Sequence, residues 1–381
     1  MAHTHGTAGP SARRTKVILG WILAPLAFLT ALALVILWPY SGPQVISTEQ
    51  PARRTGTVTA VHPEPCQQRT ARQCGTLTVR LDGGSTVTAT IPQGPGTPIV
   101  ATGDDVVLAE SEVPGGPPEY ALLDHQRGWQ LAVLVALFAL VIVSFGRWRG
   151  VSALAGLAVS FAILLGFVLP AIAVGRPPLL VAVVGAATIM FAVLYLTHGV
   201  NVQTSVAVLG TLVSLALTGG LAALATSALH LTGFGSEDTG LLAVYLGTID
   251  PRGLLLAGIV IGTLGVLDDV TVTQAATVAG LAHANPTLSA GALYRSATRI
   301  GRAHIASTVN TIVLAYAGAS LPLLLLVSIG GQSASTVLTS EFIADEIVRS
   351  TVGTIGLVAS VPITTWLAAL VTARGAPATD K

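Results

Sequence analysis

Charge is scarce in this chain. Asp, Glu, Lys and Arg make up 10% of 381 residues, against about 25% in ordinary soluble domains. With 52% hydrophobic residues and a mean hydropathy of +0.74, the composition excludes a soluble globular protein and points to one that crosses a membrane several times. The net charge of +1 and the lack of any basic block exclude nucleic acid as a partner. Lysine is nearly absent too: 17 of the 19 basic residues are Arg, a usage that fits a GC-rich bacterial genome. Cysteine is limited to Cys66 and Cys74, both in the polar segment after the first apolar run. In an oxidising compartment that spacing suits a disulfide closing a short loop, and elsewhere a pair of free thiols. Catalytic constellations are missing as well: no phosphate-binding glycine loop, no paired metal ligands, and no Ser or Cys nucleophile beside a base. The sequence therefore implies no cofactor, no metal and no enzyme.

What is present is a series of apolar runs. Residues 1–16 form a polar tail, and 17–38 is an uncharged run long enough to span. It exceeds a signal-peptide core and lacks a small-x-small site, so it reads as a retained signal anchor. From 39 to 128 the composition changes. "TGTVTAV", "GTLTVRL", "STVTATI" and "DDVVLA" have strand character, and "DGG" at 82–84 marks a hairpin turn. This predicts an all-β module of about five strands, a barrel or OB-like fold, outside the cytoplasm. Seven further runs follow at 129–146, 151–174, 179–197, 203–231, 252–283, 303–329 and 351–373, and 374–381 is a second tail. The expected fold is thus an α-helical polytopic membrane protein of about eight transmembrane helices, with the β domain between helices 1 and 2. Arg13, Arg14, Lys16, Arg147, Arg149, Arg295, Arg299, Arg302, Arg374 and Lys381 fall on one side. Only Arg176, Arg252 and Arg349 mark the short connections of the other. The positive-inside rule then places both termini in the cytoplasm of a bacterial cell.

The run 252–283 carries two adjacent acids, Asp268 and Asp269. Each costs roughly 2.5–3.5 kcal/mol at a bilayer centre on insertion scales. Counting by threes and fours, Gly258, Gly262, Gly265, Asp269, Thr273, Thr277 and Gly280 share one helix face. Glycines so spaced admit a neighbouring helix, so Gly258, Gly262 and Gly265 are expected to pack and Asp269 to face protein. Asp268 lies about 100° away. The alternative is a helix broken at "GTLG", with an Asp capping the second half. Thr204, Thr211, Ser214 and Thr218 form a hydroxyl stripe in 203–231, and His304, Ser307, Asn310 and Thr311 group in 303–329. The candidate ion or substrate site is Asp269, Asp268, Asn310 and Thr273, a set suited to a cation or proton. The competing reading is structural, with protonated acids and hydroxyls as interhelical glue.

"SEFIADEIVRS" at 340–350 reads as a short amphipathic helix before the last span. Glu341 and Asp345 share a face, and Asp345 or Glu346 can pair with Arg349. Glu341, Asp345, Glu346 and Arg349 are a candidate cation entrance, or simply a salt-bridged interfacial helix.

"DPRGLLLAGIVIGTLGVLDDVTVTQAATV", "NTIVLAYAGASLPLLLL" and "SEFIADEIVRSTVGTIGLVASVPIT" carry a resemblance. Over Asp250–Thr365 the chain resembles the YibE/F family of multi-pass bacterial membrane proteins. Asp269, Asn310, Tyr316, Pro322, Glu341, Glu346 and Arg349 match positions of the family pattern, and Asp268 departs from it as a second carboxylate. The resemblance implies an anchor, an extracytoplasmic β module and a multi-span core, in a family described as membrane proteins or transporters. Two functions follow as expectations: a transporter or channel for a cation or proton-coupled small solute, with Asp269 as ionisable centre, or a membrane scaffold or sensor whose β domain binds an envelope partner. The lipid bilayer is the one certain partner, and a homo-oligomer is compatible with either.

Overall fold

The computed structural model describes residues 10–42, 51–67, 72–94, 96–113, 115–235, 237–247, 249–329 and 334–375. The elements are α1 (Pro10–Leu37), β1 (Ala52–Pro63), β2 (Gly75–Leu81), β3 (Thr86–Thr90), β4 (Asp105–Ser111), β5 (Glu119–His125), α2 (Gly128–Gly146), α3 (Trp148–Ile163), a π-helical turn (Leu164–Val168), α4 (Leu169–Ala173), α5 (Pro178–His198), α6 (Val202–Ala228), α7 (Glu237–Leu246), α8 (Pro251–Ala284), α9 (Ala290–Ala319), α10 (Leu321–Ile329), α11 (Ala334–Leu338) and α12 (Glu341–Gly375). They fall into two units, Ser47–Arg147 on one hand and Met1–Ile46 with Trp148–Lys381 on the other.

The first unit holds a closed barrel in the order β1-β2-β3-β5-β4, all pairs antiparallel except β3 with β5. This is the five-stranded order of an OB-type barrel. Alternation turns Val58, Leu77, Val79, Ala89, Val106, Leu108 and Leu122 inward, and they are buried together. β1 closes the barrel because it is long enough to pair twice, with β4 through Ala52–Thr57 and with β2 through Gly56–Pro63. At the crossover a Cβ on Gly56 would lie 2.5 Å from the Arg80 carbonyl oxygen, so only glycine fits. The Asp82–Gly84 turn forms the expected hairpin, with Gly84 at φ +87°. Cys66 and Cys74 form a disulfide across the β1–β2 loop, Cα–Cα 5.3 Å. Arg54 and the Tyr120 hydroxyl both bond Glu110, at 2.7 and 2.9 Å. The Arg54 bond first, and Tyr120 second, hold the Glu110 carboxyl below the usual carboxylate range. α2 has no buried residue.

In the second unit α8 lies at the centre, packed on α5, α6 and α12. Buried Met190, Leu194, Val206, Leu215, Val260, Leu267, Val278, Leu357 and Val361 fill the space between them. Pro170 has no N–H to offer the carbonyl four residues back, and the helix accommodates it with the π turn just before. Among the described residues, seven helices are long and apolar enough to cross a membrane: Thr15–Leu37, Gly128–Gly146, Trp148–Ala173, Pro178–His198, Val202–Ala228, Pro251–Ala284 and Glu341–Ala373.

The eighth pass differs from expectation. The run 303–329 is not one helix: α9 ends at Ala319 and α10 begins at Leu321. Pro322 is the physical reason, since its missing N–H and its ring oppose an uninterrupted helix. α9 nevertheless runs antiparallel beside α8, with Gly301 against Gln274 at one end and Tyr316 against Gly262 at the other. Arg295, Arg299 and Arg302 lie in its first half, and it is not among the seven helices long and apolar enough to cross. α8 is one continuous helix of 34 residues, so the broken alternative does not apply. The segment 340–350 is likewise the start of α12 rather than a separate helix.

Candidate functional site

The site starts from α8. Its buried face carries Ile259, Val260, Thr263, Leu264, Leu267, Val270, Thr271, Gln274, Ala275 and Val278. Gly258, Gly262, Gly265, Asp269 and Gly280 do share a stripe, but it is the uncovered one. A Cβ at Gly258, Gly265 or Gly280 would meet nothing within 4 Å, and at Gly262 only the Tyr316 hydroxyl, 3.1 Å away. The expected packing of Gly258, Gly262 and Gly265 is therefore corrected. The opposite face is broader and bears the branched side chains, so it offers more contact to α5, α6 and α12.

Close helix approach occurs at glycines the sequence reading passed over. Gly356 of α12 accommodates Thr218 of α6, and Gly210 of α6 accommodates Thr364 of α12. At Gly301 the Gln274 amide nitrogen would lie 2.6 Å from a Cβ, and at Gly353 the Thr263 hydroxyl 3.0 Å. Around these contacts runs a buried hydroxyl belt. Thr211 and Thr271 share a 2.6 Å hydrogen bond, and Thr365 donates to Gln274 at 2.9 Å. Thr204, Thr211, Ser214 and Thr218 are all buried, and the last three donate to the carbonyls four residues back. The stripe thus serves packing.

The two acids are placed opposite to expectation. Asp269 is exposed and Asp268 half-buried. Asp268 Oδ1 is shut off from solvent and has no hydrogen-bond partner, while its carbonyl accepts from Thr271 at 3.1 Å. Asn310 is exposed, and Thr273 is half-buried with its carbonyl taking the Thr277 hydroxyl at 2.7 Å. No hydrogen bond joins Asp268, Asp269, Asn310 and Thr273. The position of Asp268 follows from the 100° step per residue: turning Thr271 toward Thr211 carries Asp268 to the edge of the packed face and leaves Asp269 outside it.

At the start of α12 the four charged residues have partners of three kinds. Glu341 Oε1 accepts from Thr232 N and Oγ1, both at 2.6 Å, and from Gly233 N at 3.0 Å. Asp345 is 7% exposed, rests against Gly235, and keeps Oδ1 without a partner. Glu346 pairs with Arg349 at 2.9 Å, and Arg349 Nε is enclosed without an acceptor. Glu341 and Asp345 therefore tie α12 to the loop after α6. Glu346 and Arg349 point elsewhere on the helix. They share a face with Gly353, which lines a cavity of about 320 Å³ between α8, α9 and α12 together with Gly262, Thr263, Val266, Ile312 and Tyr316. A larger space of about 460 Å³ by Tyr294, Pro362 and Trp366 has no charged residue on its wall. Among the described residues no three His, Cys, Asp or Glu gather as a metal site.

The curated proteins and the solved structures contain no match to this chain. The sequence profile of the YibE/F-like protein family does match, over residues 134–374. That stretch covers more than half of the chain, runs from within α2 to the end of α12, and leaves the barrel outside. The chain is a polytopic membrane protein of the YibE/F-like family.

Proposed function

We propose that this protein carries a cation or a proton-coupled small solute across the bacterial cytoplasmic membrane, with Asp268 as its ionisable centre. One observation supports the reading above others: Asp268 Oδ1 is enclosed and unpartnered, one residue from an exposed acid. A buried polar atom without a partner costs roughly 1–3 kcal/mol, and ionisable groups inside membrane bundles commonly mark ion pathways. A carboxyl that is neutral when protonated and seeks a cation when ionised can load and unload. Asp269, on the open glycine face, gives the ion a first stop. With α9 counted as a pass, eight crossings put both termini in the cytoplasm, in keeping with the distribution of arginines.

Flux in reconstituted vesicles tests this. Asp268→Asn should lower it at least tenfold without loss of folded protein, and Asp269→Asn should act more mildly. Wild-type flux in Asp268→Asn would defeat the assignment.

The barrel favours a second reading. Its strand order is that of ligand-binding OB folds, so a sensor whose β domain binds an envelope partner is the alternative. There, deleting residues 52–125 would remove the phenotype and Asp268→Asn would leave it intact.

A further inference from the structure

α9 carries Arg295, Arg299 and Arg302 at i, i+4 and i+7, so they share one face, and all three are exposed. None of them takes part in an ion pair among the described residues. The sequence offers them no acid nearby: Asp and Glu are absent from 270 to 340, from α6, and from α12 beyond Glu346. Asp250, Glu341, Asp345 and Glu346 stand at or just before the starts of α8 and α12. That is the opposite end of both helices from Gln274 and Val361, against which Gly301 of α9 packs.

Depth decides which anion can answer these cations. With α8 centred on the bilayer, Gln274 lies about 10 Å from the midplane, within the roughly 15 Å half-thickness of the hydrocarbon. Arg302 follows Gly301 directly and stands at that level, with Arg299 and Arg295 about 5 and 10 Å further out. The three guanidinium groups therefore climb from the edge of the hydrocarbon into the headgroup layer. The acidic surface of a soluble protein does not reach the lowest of them. A phospholipid does, because its phosphate sits at this boundary and an arginine stem crosses apolar surroundings to meet it. A guanidinium also presents its donors in a planar fork that matches phosphate. Beyond Arg302 the same face continues as Ala306 and Val313, both exposed and apolar, at i+4 and i+11.

We infer that this face of α9 binds an anionic phospholipid, its phosphate on Arg295, Arg299 and Arg302 and an acyl chain along Ala306 and Val313. A zwitterionic lipid fits worse, since its cationic group meets three arginines and no acid. The site goes beyond the proposed carrier and stands whether or not Asp268 takes up an ion.

Native mass spectrometry of the full-length protein, delipidated in detergent and titrated with dioleoylphosphatidylglycerol or dioleoylphosphatidylcholine, tests it. The anionic lipid should bind at least tenfold more tightly. Arg295→Gln, Arg299→Gln and Arg302→Gln together should abolish that preference, and Lys at the same three positions should keep most of it. Arg302→Gln alone should weaken it severalfold, which covers the case in which the triple variant fails to fold. Arg149→Gln, which removes an exposed arginine outside α9, should leave it unchanged. An undiminished preference in both Gln variants of α9, or an equal loss in Arg149→Gln, would overturn the site. Displacement of the lipid by millimolar glycerol phosphate, which has the phosphate and no chains, would overturn the lipid as its ligand.

Discussion

Gly258, Gly262, Gly265, Asp269 and Gly280 of α8 are exposed, Thr273 and Thr277 are half-buried, and close helix approach falls elsewhere. Spacing does not specify which face a neighbour covers, because that depends on what the neighbour offers. Here α6 and α12 present their own glycines, Gly210, Gly353 and Gly356, to threonines of the opposing helices. Two substitutions separate these roles. Gly356→Ala forces a methyl against Thr218 and should cost about 1–3 kcal/mol through overpacking. Gly265→Ala meets open space and should be neutral or gain up to about 1 kcal/mol in helix propensity. Thermal midpoints of the two variants in detergent, read by tryptophan fluorescence, should fall on opposite sides of, or one at and one below, the wild-type value. A larger loss for Gly265→Ala would show the glycine stripe to be the packed one.

Elements were legible where a local signal is strong. The "DGG" turn, four of the five strands and most long helices follow from alternation or apolar runs. β5, "EYALLDH", has no local signal because polar and apolar residues do not alternate along it, and only its pairing with β3 and β4 makes it a strand. α7 lacks a long apolar run, and α9 begins in a charged stretch, so its start at Ala290 lies thirteen residues before the apolar run at 303–329. The β1–β2 loop is the element whose stability depends most on covalent chemistry. In the loop-entropy account, a disulfide across so few residues contributes about 2–3 kcal/mol. Replacing Cys66 and Cys74 together by Ser should lower the unfolding midpoint of the barrel, and a reductant should do the same to the wild type but not to the variant. An unchanged midpoint would mean the bond carries no stability.

At the scale of the whole molecule, composition alone identified a multi-pass chain, and the profile match places its bundle in the YibE/F-like family. The candidate site was only partly legible. Spacing turns Asp269 toward protein, whereas in the fold Asp269 is exposed and Asp268 is the half-buried acid with Oδ1 enclosed. Neither fact has a local signature, since both depend on how α9 and α12 settle against α8. Counting α9 with the seven helices long and apolar enough to cross, as the proposed function does, yields a topological prediction. Single cysteines placed in a chain lacking Cys66 and Cys74, at position 88 in the barrel and at 378 in the tail, should respond differently to an impermeant maleimide added to intact cells. Position 88 should label and 378 should not. Labelling of both would mean an odd number of crossings and a non-spanning α9.

The central claim, that Asp268 is the enclosed group taking up and releasing the carried ion, is tested most directly by carbodiimide modification. An apolar carbodiimide attacks protonated carboxyls inside a membrane domain, and peptide mass spectrometry reports the labelled residue. The account predicts a label on Asp268, flux lost in proportion to it, and protection by the transported solute. A label on Asp269 with Asp268 untouched, or full modification of Asp268 without loss of flux, would contradict it.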